Sequence, residues 1–341
     1  MLDTIKEMFD YVWIEAPPVY SLEECIAATK KQHPNVDDEN DEDYIESAED
    51  LIEHFRTSLY LSNEKELAFL QTAAELTESR LPWKDNVRHY PFRVFGFNHL
   101  VFLFLHEDEL HLVLPTELIA EYHKIIAEEN FAEINARNNE LFTYATALVN
   151  LYGTYEIEQF VAVWNRHRKD KITAKEAEIF LINRAYFNSD YYLEDGFVVH
   201  DCLSSDDFDE LFEATLGMDY YMPTKSVIGA YASQGYDEPN FKEINELCEF
   251  LSEFINDEKT MENLPYDLFR SCERLKSPDR VIDALKNARA PLKDQSFCER
   301  FERLYNNLRS NIHVWELRGF LPHQFQAQTG ESVPRFSLSL K

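Results

Sequence analysis

The stretch FLFLHEDELHLVLP, residues 102–115, decides the fold class predicted for this chain. Stretches rich in Phe, Leu and Val lie on both sides of an acidic centre, with alternation in Leu110-His111-Leu112, as expected for two strands joined by a tight turn. This β signal extends over residues 92–114, and we predict a β-hairpin there. After Pro115 the pattern changes to helical spacing, which fills most of the remaining sequence.

Two histidines of this hairpin give HEDELH an initial likeness to the HExxH box of zinc proteases. That box needs histidines four residues apart on one helix face, whereas His106 and His111 are five residues apart in a β pattern. If Asp108-Glu109 forms the turn, His106 lies opposite His111 at a Cβ separation of roughly 5 Å, and the pair is a candidate metal site. If Glu107-Asp108 forms the turn, His106 pairs with Glu109 and this geometry is lost.

Most of the chain is predicted to be helical. Capping boxes begin at Ser21 and Thr173, and Gly153 is predicted to end a helix. A second hairpin is predicted over residues 191–203, with Glu194-Asp195-Gly196 at its turn. The predicted fold class is therefore predominantly α (α+β), a helical body with two short β-hairpins near 92–114 and 191–203.

Charge is distributed unevenly along the chain. Residues 1–263 hold 20 Lys and Arg against 54 Asp and Glu, net −34, whereas residues 264–341 hold 13 against 9, net +4. The basic end either docks on the acidic body or contacts an acidic partner or nucleic acid. We predict three segments: 1–115, an N-terminal acidic helical region ending in a β-hairpin; 116–263, a helical domain with the second hairpin; and 264–341, a basic C-terminal helical segment and tail.

Composition restricts the classes of function. The net charge of −30 disfavours general binding to nucleic acid or to an anionic membrane surface. The five cysteines are odd in number and form no CxxC pair, which favours a reducing compartment. The glycines form no nucleotide-binding loop, and the N-terminus lacks the apolar core of a signal peptide. We expect a cytoplasmic protein without a cofactor and without membrane association.

Two groups of residues are candidate partner-binding sites. The first is a basic cluster at the C-terminal end of a predicted helix, where it would stabilise the helix dipole. The N-terminal end of that helix carries Glu156 and Glu158, which would repel phosphate. The second group is aromatic and could line a peptide-binding groove. The candidate residues are Trp164, Arg166, Arg168, Lys169 and Lys171 in the first group, and Tyr220, Tyr221 and Tyr236 in the second.

Four stretches together carry a family resemblance: LHEDELHLVLPTELI; LFTYATALVNLYGTYEIEQFVAVWN; YYLEDGFVVH with YYMPTKSVIGAYASQGYDEPN; and NIHVWELRGFLPHQF. In this order, over residues 100–325, the chain resembles uncharacterised, mostly helical proteins of low-GC Gram-positive bacteria and their mobile elements. Several of those proteins end in a small zinc-binding SEC-C motif. No cysteine follows Phe325 here, so the metal role of that motif is not carried over. The resemblance implies a regulatory or interaction protein of phage or mobile-element type.

No catalytic constellation emerges from the sequence. Carboxylate pairs are so abundant that none indicates acid–base catalysis, and there is no GxSxG motif. We therefore expect a non-enzymatic interaction or regulatory protein with a protein partner. Three alternatives stay open: a polyanionic mimic that inhibits a DNA- or RNA-binding enzyme, nucleic-acid contact through residues 164–171 or the C-terminal segment, and a metal-dependent hydrolase.

Overall fold

In the computed structural model the described residues are 13–32, 47–75, 94–96, 98–107, 109–187, 190–232, 242–275 and 278–338. Helices predominate among them and the strands form two small sheets, so the predicted α+β class is confirmed. No helix within these ranges is both long and apolar enough to cross a membrane.

The chain forms two compact units. Unit 1 comprises Met1–Phe142 with Tyr186–Asn188, and unit 2 comprises Thr143–Ala185 with Ser189–Lys341. This division differs from the three segments proposed above, which stay a prediction. The described elements that begin in unit 1 are β1 (Trp13–Ile14), α1 (Leu22–Gln32), α2 (Ala48–Leu61), α3 (Glu64–Glu75), β2 (Phe102–His106), β3 (Glu109–Val113), α4 (Thr116–Ile126) and α5 (Phe131–Tyr152).

The hairpin predicted over 92–114 is present as β2 and β3, with β1 running parallel to β2 on its other side. Its register pairs His106 with Glu109 and Phe104 with His111. The prediction that His106 lies directly opposite His111 is therefore wrong. The chain turns one residue earlier because Glu107, directly after the last residue of β2, takes a left-handed backbone with φ of 51°.

This register removes the geometry of the candidate metal site. His111 is buried opposite Phe104, whereas the side chain of His106 is partly exposed and its Nε2 lies 3.9 Å from Oε1 of Glu107. In the ranges that the structure describes, no group of three or more histidine, cysteine, aspartate or glutamate residues could hold a metal ion.

Unit 2 contains the second sheet and the remaining helices. The hairpin predicted over 191–203 is present, and Asp195 and Gly196 supply the left-handed turn residues, with φ of 48° and 84°. A third strand, Thr154–Glu156, pairs with the second strand of the hairpin, Phe197–His200, on its other side. The described elements are β4 (Thr154–Glu156), α6 (Ile157–His167), α7 (Ala174–Phe187), β5 (Tyr191–Glu194), β6 (Phe197–His200), α8 (Ser205–Thr215), α9 (Lys225–Ala232), α10 (Lys242–Ser252), α11 (Glu258–Cys272), α12 (Asp279–Asn287), α13 (Gln295–Ser310), a 3-10 turn (Trp315–Leu317) and α14 (Pro322–Thr329).

Three of the four stretches that carry the family resemblance meet at Trp315. Its indole Nε1 donates to the carbonyl of Asn150 over 2.9 Å, and the ring of His200 lies 5.3 Å away. A Cβ added to Gly153 would come within 2.5 Å of the same indole. Residues of these three stretches therefore pack together in unit 2, and the Trp315 ring lies so close to the chain at Gly153 that this position requires a glycine.

Candidate functional site

The basic cluster predicted at residues 164–171 closes the end of α6. The Trp164 ring is buried, and its Nε1 donates to the carbonyl of Asp170 over 2.7 Å. The Arg168 guanidinium lies 5.6 Å from the Trp164 ring centre, and Lys171 donates to the carbonyl of Arg168 over 2.8 Å. These three side chains stabilise the helix end, while Arg166 and Lys169 are exposed.

The aromatic candidates pack within unit 2. The Tyr220 hydroxyl donates to Glu156 and accepts from Arg318. The ring of Tyr221 lies 4.8 Å from that of His313. Tyr236 falls outside the described residues. These contacts give Tyr220 and Tyr221 structural roles, and partner binding by either group remains a prediction.

His200 is the centre of a buried polar network. Its Nδ1 lies 2.8 Å from Oδ1 of Asp201 and 3.1 Å from the amide of Cys202. Its Nε2 lies 3.0 Å from Nη2 of Arg270 and 3.1 Å from Oδ1 of Asn150. Burial lowers the pKa of His200, so the neutral ring is the form present at neutral pH.

Each nitrogen of His200 thus faces one donor and one acceptor. With the proton on Nδ1, the ring donates to Asp201 and accepts from Arg270. With the proton on Nε2, it donates to Asn150 and accepts from the amide of Cys202. A neutral His200 satisfies one of these two sets at a time, which ties the ring to its neighbours in either tautomer.

Glu273 is a fully buried carboxyl group at the end of α11. Arg270 donates to its Oε2 over 2.9 Å, whereas Oε1 has no hydrogen-bond partner within the described ranges. Burial raises the pKa of Glu273 to about 7, although Arg270 and Arg274 act in the opposite direction. This carboxyl therefore changes its ionisation near neutral pH.

Glu273 lines a cavity of about 300 Å³, which we call the Glu273 cavity. Its walls come from α8, α11, α12, Trp315 and the turn after β6. Burial raises the pKa of the Cys202 thiol, which also lines the cavity, to about 11. The thiol is protonated at neutral pH and is not an activated nucleophile.

A second concavity, of about 1070 Å³, lies between α13, α14 and residues 333–337; we call it the basic pocket. Arg309 is 7% exposed and lines it, and its Nε has no hydrogen-bond partner among the described residues. Arg303, His323 and Arg335 are exposed and line the same concavity. Four basic side chains, those of Arg303, Arg309, His323 and Arg335, therefore line the basic pocket.

The acidic residues of the basic pocket are engaged elsewhere. Glu302 accepts from the amide of Leu338 over 2.6 Å, and Glu299 accepts from Gln295 over 2.8 Å. Glu246 pairs with Lys242 at 3.3 Å. None of these described bonds joins a carboxylate of the basic pocket to Arg309.

Other arginines of the segment 264–341 contact the acidic part of the chain. Arg274 lies 3.8 Å from Asp207, and Arg318 lies 3.7 Å from Glu156. Arg274 and Arg318 therefore make ion pairs expected of a docked segment. The arginines that line the basic pocket are not part of these two pairs.

Sequence reasoning missed Glu273 and Arg309. The positive charge of residues 264–341 indicated the region of Arg309 but not the residue. No sequence signal distinguishes Glu273, because its burial and its missing partner depend on elements distant in the chain.

His313 makes the stability of unit 2 depend on pH. Burial lowers its folded-state pKa to about 4, against about 6.5 in an unfolded chain. The stability from its neutral form is complete above pH 6.5 and is lost as the pH falls towards 4, by about 3 kcal/mol. Urea unfolding at pH 7, 5.5 and 4.5 measures this loss. A His313→Asn variant should lose less stability over that range, and an unchanged slope would contradict the assignment.

No family model, curated protein or solved structure matched this chain.

Proposed function

We propose that this chain is a non-enzymatic interaction protein whose basic pocket binds an acidic segment of a protein partner. The observation that carries the proposal is Arg309, a buried guanidinium whose Nε lacks a partner in the described part of the chain. Burying a charge without a counter-charge costs several kcal/mol. A carboxylate of a partner carries the opposite charge and accepts hydrogen bonds, so it would supply both the counter-charge and the acceptor that Nε lacks.

The shape and charge of the surroundings favour an acidic peptide over nucleic acid. A buried guanidinium lining a concavity is reached by a projecting carboxylate more easily than by a wide duplex. The whole chain carries a net charge of −30, which repels a long polyanion more strongly than a short acidic segment.

The Glu273 cavity supports a non-enzymatic role. The Cys202 thiol is protonated at neutral pH, and both nitrogens of the buried His200 contact neighbouring groups. Neither residue is arranged as a nucleophile with a base beside it.

Binding of a fluorescein-labelled octaglutamate peptide, followed by anisotropy at low salt, tests the proposal. We expect Arg309→Met to weaken binding by roughly tenfold to a hundredfold, the value of a lost charged hydrogen bond. An octaglutamine peptide should not bind. The same variant should be as stable as the natural chain or more stable, because it removes an uncompensated buried charge.

Arg166→Met is the matched control, because it removes an exposed arginine that does not line the basic pocket. Its affinity for octaglutamate should be unchanged. An equal loss in both variants would show general charge attraction, and a loss in Arg166→Met alone would move the site to residues 164–171. Tighter binding of single-stranded DNA of eight nucleotides than of octaglutamate would replace the acidic peptide with nucleic acid.

A further inference from the structure

Glu273, which lines the cavity, has an acceptor that no described residue uses. A carboxylate accepts hydrogen bonds at both oxygens, and in the described part of the chain Arg270 bonds Oε2 of Glu273 alone. Glu273 lines the cavity, and its Oε1 is buried and has no partner in the ranges that the structure describes. A buried acceptor left without a donor costs about 1–3 kcal/mol. Any ligand group that fills the cavity is therefore favoured if it donates a hydrogen bond at this position.

The charges that surround the cavity favour a cation. Three guanidinium groups line it, but each has a carboxylate partner: Arg270 has Glu273, and Arg280 lies 3.7 Å from Asp267. Arg274 is bonded to Glu316 at 2.7 Å. Four carboxyl groups of described residues line it, namely Asp207, Asp267, Glu273 and Asp279. With Glu316 added through Arg274, carboxylates exceed guanidiniums among the described residues, which favours a positively charged group over an anion.

The size and the walls of the cavity suit a small group. Its volume of about 300 Å³ is at the lower end of the range for small-molecule sites. Tyr266 lines the cavity with 42% of its surface exposed, and its ring can contact a cation. An ammonium group on a short alkyl chain has the charge, the donors and the apolar stem that these walls accommodate.

We propose that the Glu273 cavity binds a protonated primary amine, whose ammonium group donates a hydrogen bond to Oε1 of Glu273. The amine belongs to a small molecule or to a lysine side chain of another protein, and both present the same chemistry. This site is separate from the basic pocket, so either proposal can fail without the other.

Proton binding by Glu273 gives amine binding a characteristic pH dependence. Only the ionised carboxylate accepts at both oxygens, and burial raises the pKa of this group to about 7. The ionised fraction rises about tenfold between pH 6 and pH 8, while an alkylamine stays protonated. Among the described residues, the ionisable groups around Glu273, across the cavity, through its partners or packed against it, are His200, Asp201, Cys202, Asp207, Tyr231, Tyr266, Asp267, Arg270, Cys272, Arg274, Asp279, Arg280 and Glu316.

Isothermal titration calorimetry with the full chain tests the proposal. The probes are propylamine for the free-amine source and Nα-acetyl-lysine amide for the lysine source, with propanol as the uncharged control. We expect at least one amine to bind, about tenfold more tightly at pH 8 than at pH 6, and propanol not to bind. Binding of propylamine alone assigns a small-molecule ligand, and binding of the lysine derivative with at least equal affinity assigns a protein side chain.

Two variants locate the binding. Glu273→Gln should abolish amine binding at both pH values. Asp279→Asn changes an exposed carboxylate at the cavity, and it should weaken binding several-fold without affecting folding. Asp283→Asn, on the same helix but outside the cavity, is its matched control and should leave binding unchanged. Absence of binding by both amines, pH-independent binding, or equal effects of the two aspartate variants would overturn the proposal.

Discussion

Replacing Trp315 with alanine is expected to lower the free energy of unfolding of unit 2 by about 3–5 kcal/mol, the usual cost of truncating a large buried aromatic side chain. The indole is 2% exposed and packs in a cluster with Leu203 and Phe208. Its Nε1 also bonds the carbonyl of Asn150, which the truncation leaves without that donor. Urea unfolding followed by far-UV circular dichroism measures the loss.

Gly153 provides a second, coupled test of the same packing. Its φ of 73° costs a substituted L-residue roughly 1–2 kcal/mol, and an added Cβ would lie 2.5 Å from the Trp315 indole. Gly153→Ala should therefore destabilise the natural chain by more than the backbone cost alone. In the Trp315→Ala background the collision is absent, so the same change should cost only the backbone term.

The double-mutant cycle decides whether these two positions pack as described. The combined variant should be more stable than the sum of the single losses predicts. Gly217→Ala is the matched control for the backbone cost alone. Gly217 also has a left-handed backbone, with φ of 77°, but nothing lies within 4 Å of its added Cβ. Additive losses at Gly153 and Trp315 would contradict the close contact.

The first hairpin shows how far side-chain patterning predicts a sheet. The stretches rich in Phe, Leu and Val on both sides of the acidic centre identified both strands, and each residue keeps its face whichever of the two turns is used. Moving the turn by one position changes the partner of His106 by two residues, from His111 to Glu109. The apolar pattern is the same in both registers and therefore cannot choose between them. The left-handed backbone of Glu107 decides it, and a glutamate gives no sequence signal for that conformation.

The sequence predicts the region in which basic residues gather, but not the residues that form the candidate sites. The excess of basic residues after residue 263 indicated that cations gather there. Which of them are neutralised depends on distant partners, as in the contact of Arg318 with Glu156. Arg309 is distinguished by its burial, and Glu273 by its burial and by the hydrogen bond that its Oε1 lacks among the described residues. Neither property follows from composition or periodicity, because both arise from tertiary packing.

Removing the counter-charge of Glu273 should lower the free energy of unfolding of unit 2 by an amount that depends strongly on pH. Arg270→Met leaves a fully buried carboxyl group without its ion pair, and breaking such a pair typically costs about 3–5 kcal/mol. The loss should be largest at pH 8, where the natural chain holds Glu273 ionised, because its pKa is about 7. At pH 5 the carboxyl is protonated in the folded state of both proteins, so the loss should be smaller.

The sign follows from proton binding. A buried carboxyl whose folded pKa is raised from 4.5 to about 7 costs stability as the pH rises between these two values, and the full cost is present above the folded pKa. Arg270 holds the folded pKa of Glu273 down, so its removal raises that pKa further and makes the total decline of stability between pH 5 and pH 8 larger. Urea unfolding of the natural chain and of Arg270→Met at these two pH values measures the difference.

A compensating variant separates the charge effect from lost packing. Arg270→Met with Glu273→Gln removes both charges, and it should recover most of the stability lost at pH 8 and show no steepened pH dependence. The remaining deficit reports the bonds of Arg270 to His200 and Tyr266, which the second substitution does not restore. If the double variant is as unstable at pH 8 as Arg270→Met alone, the stability of this region depends on those two bonds and not on the neutralisation of Glu273.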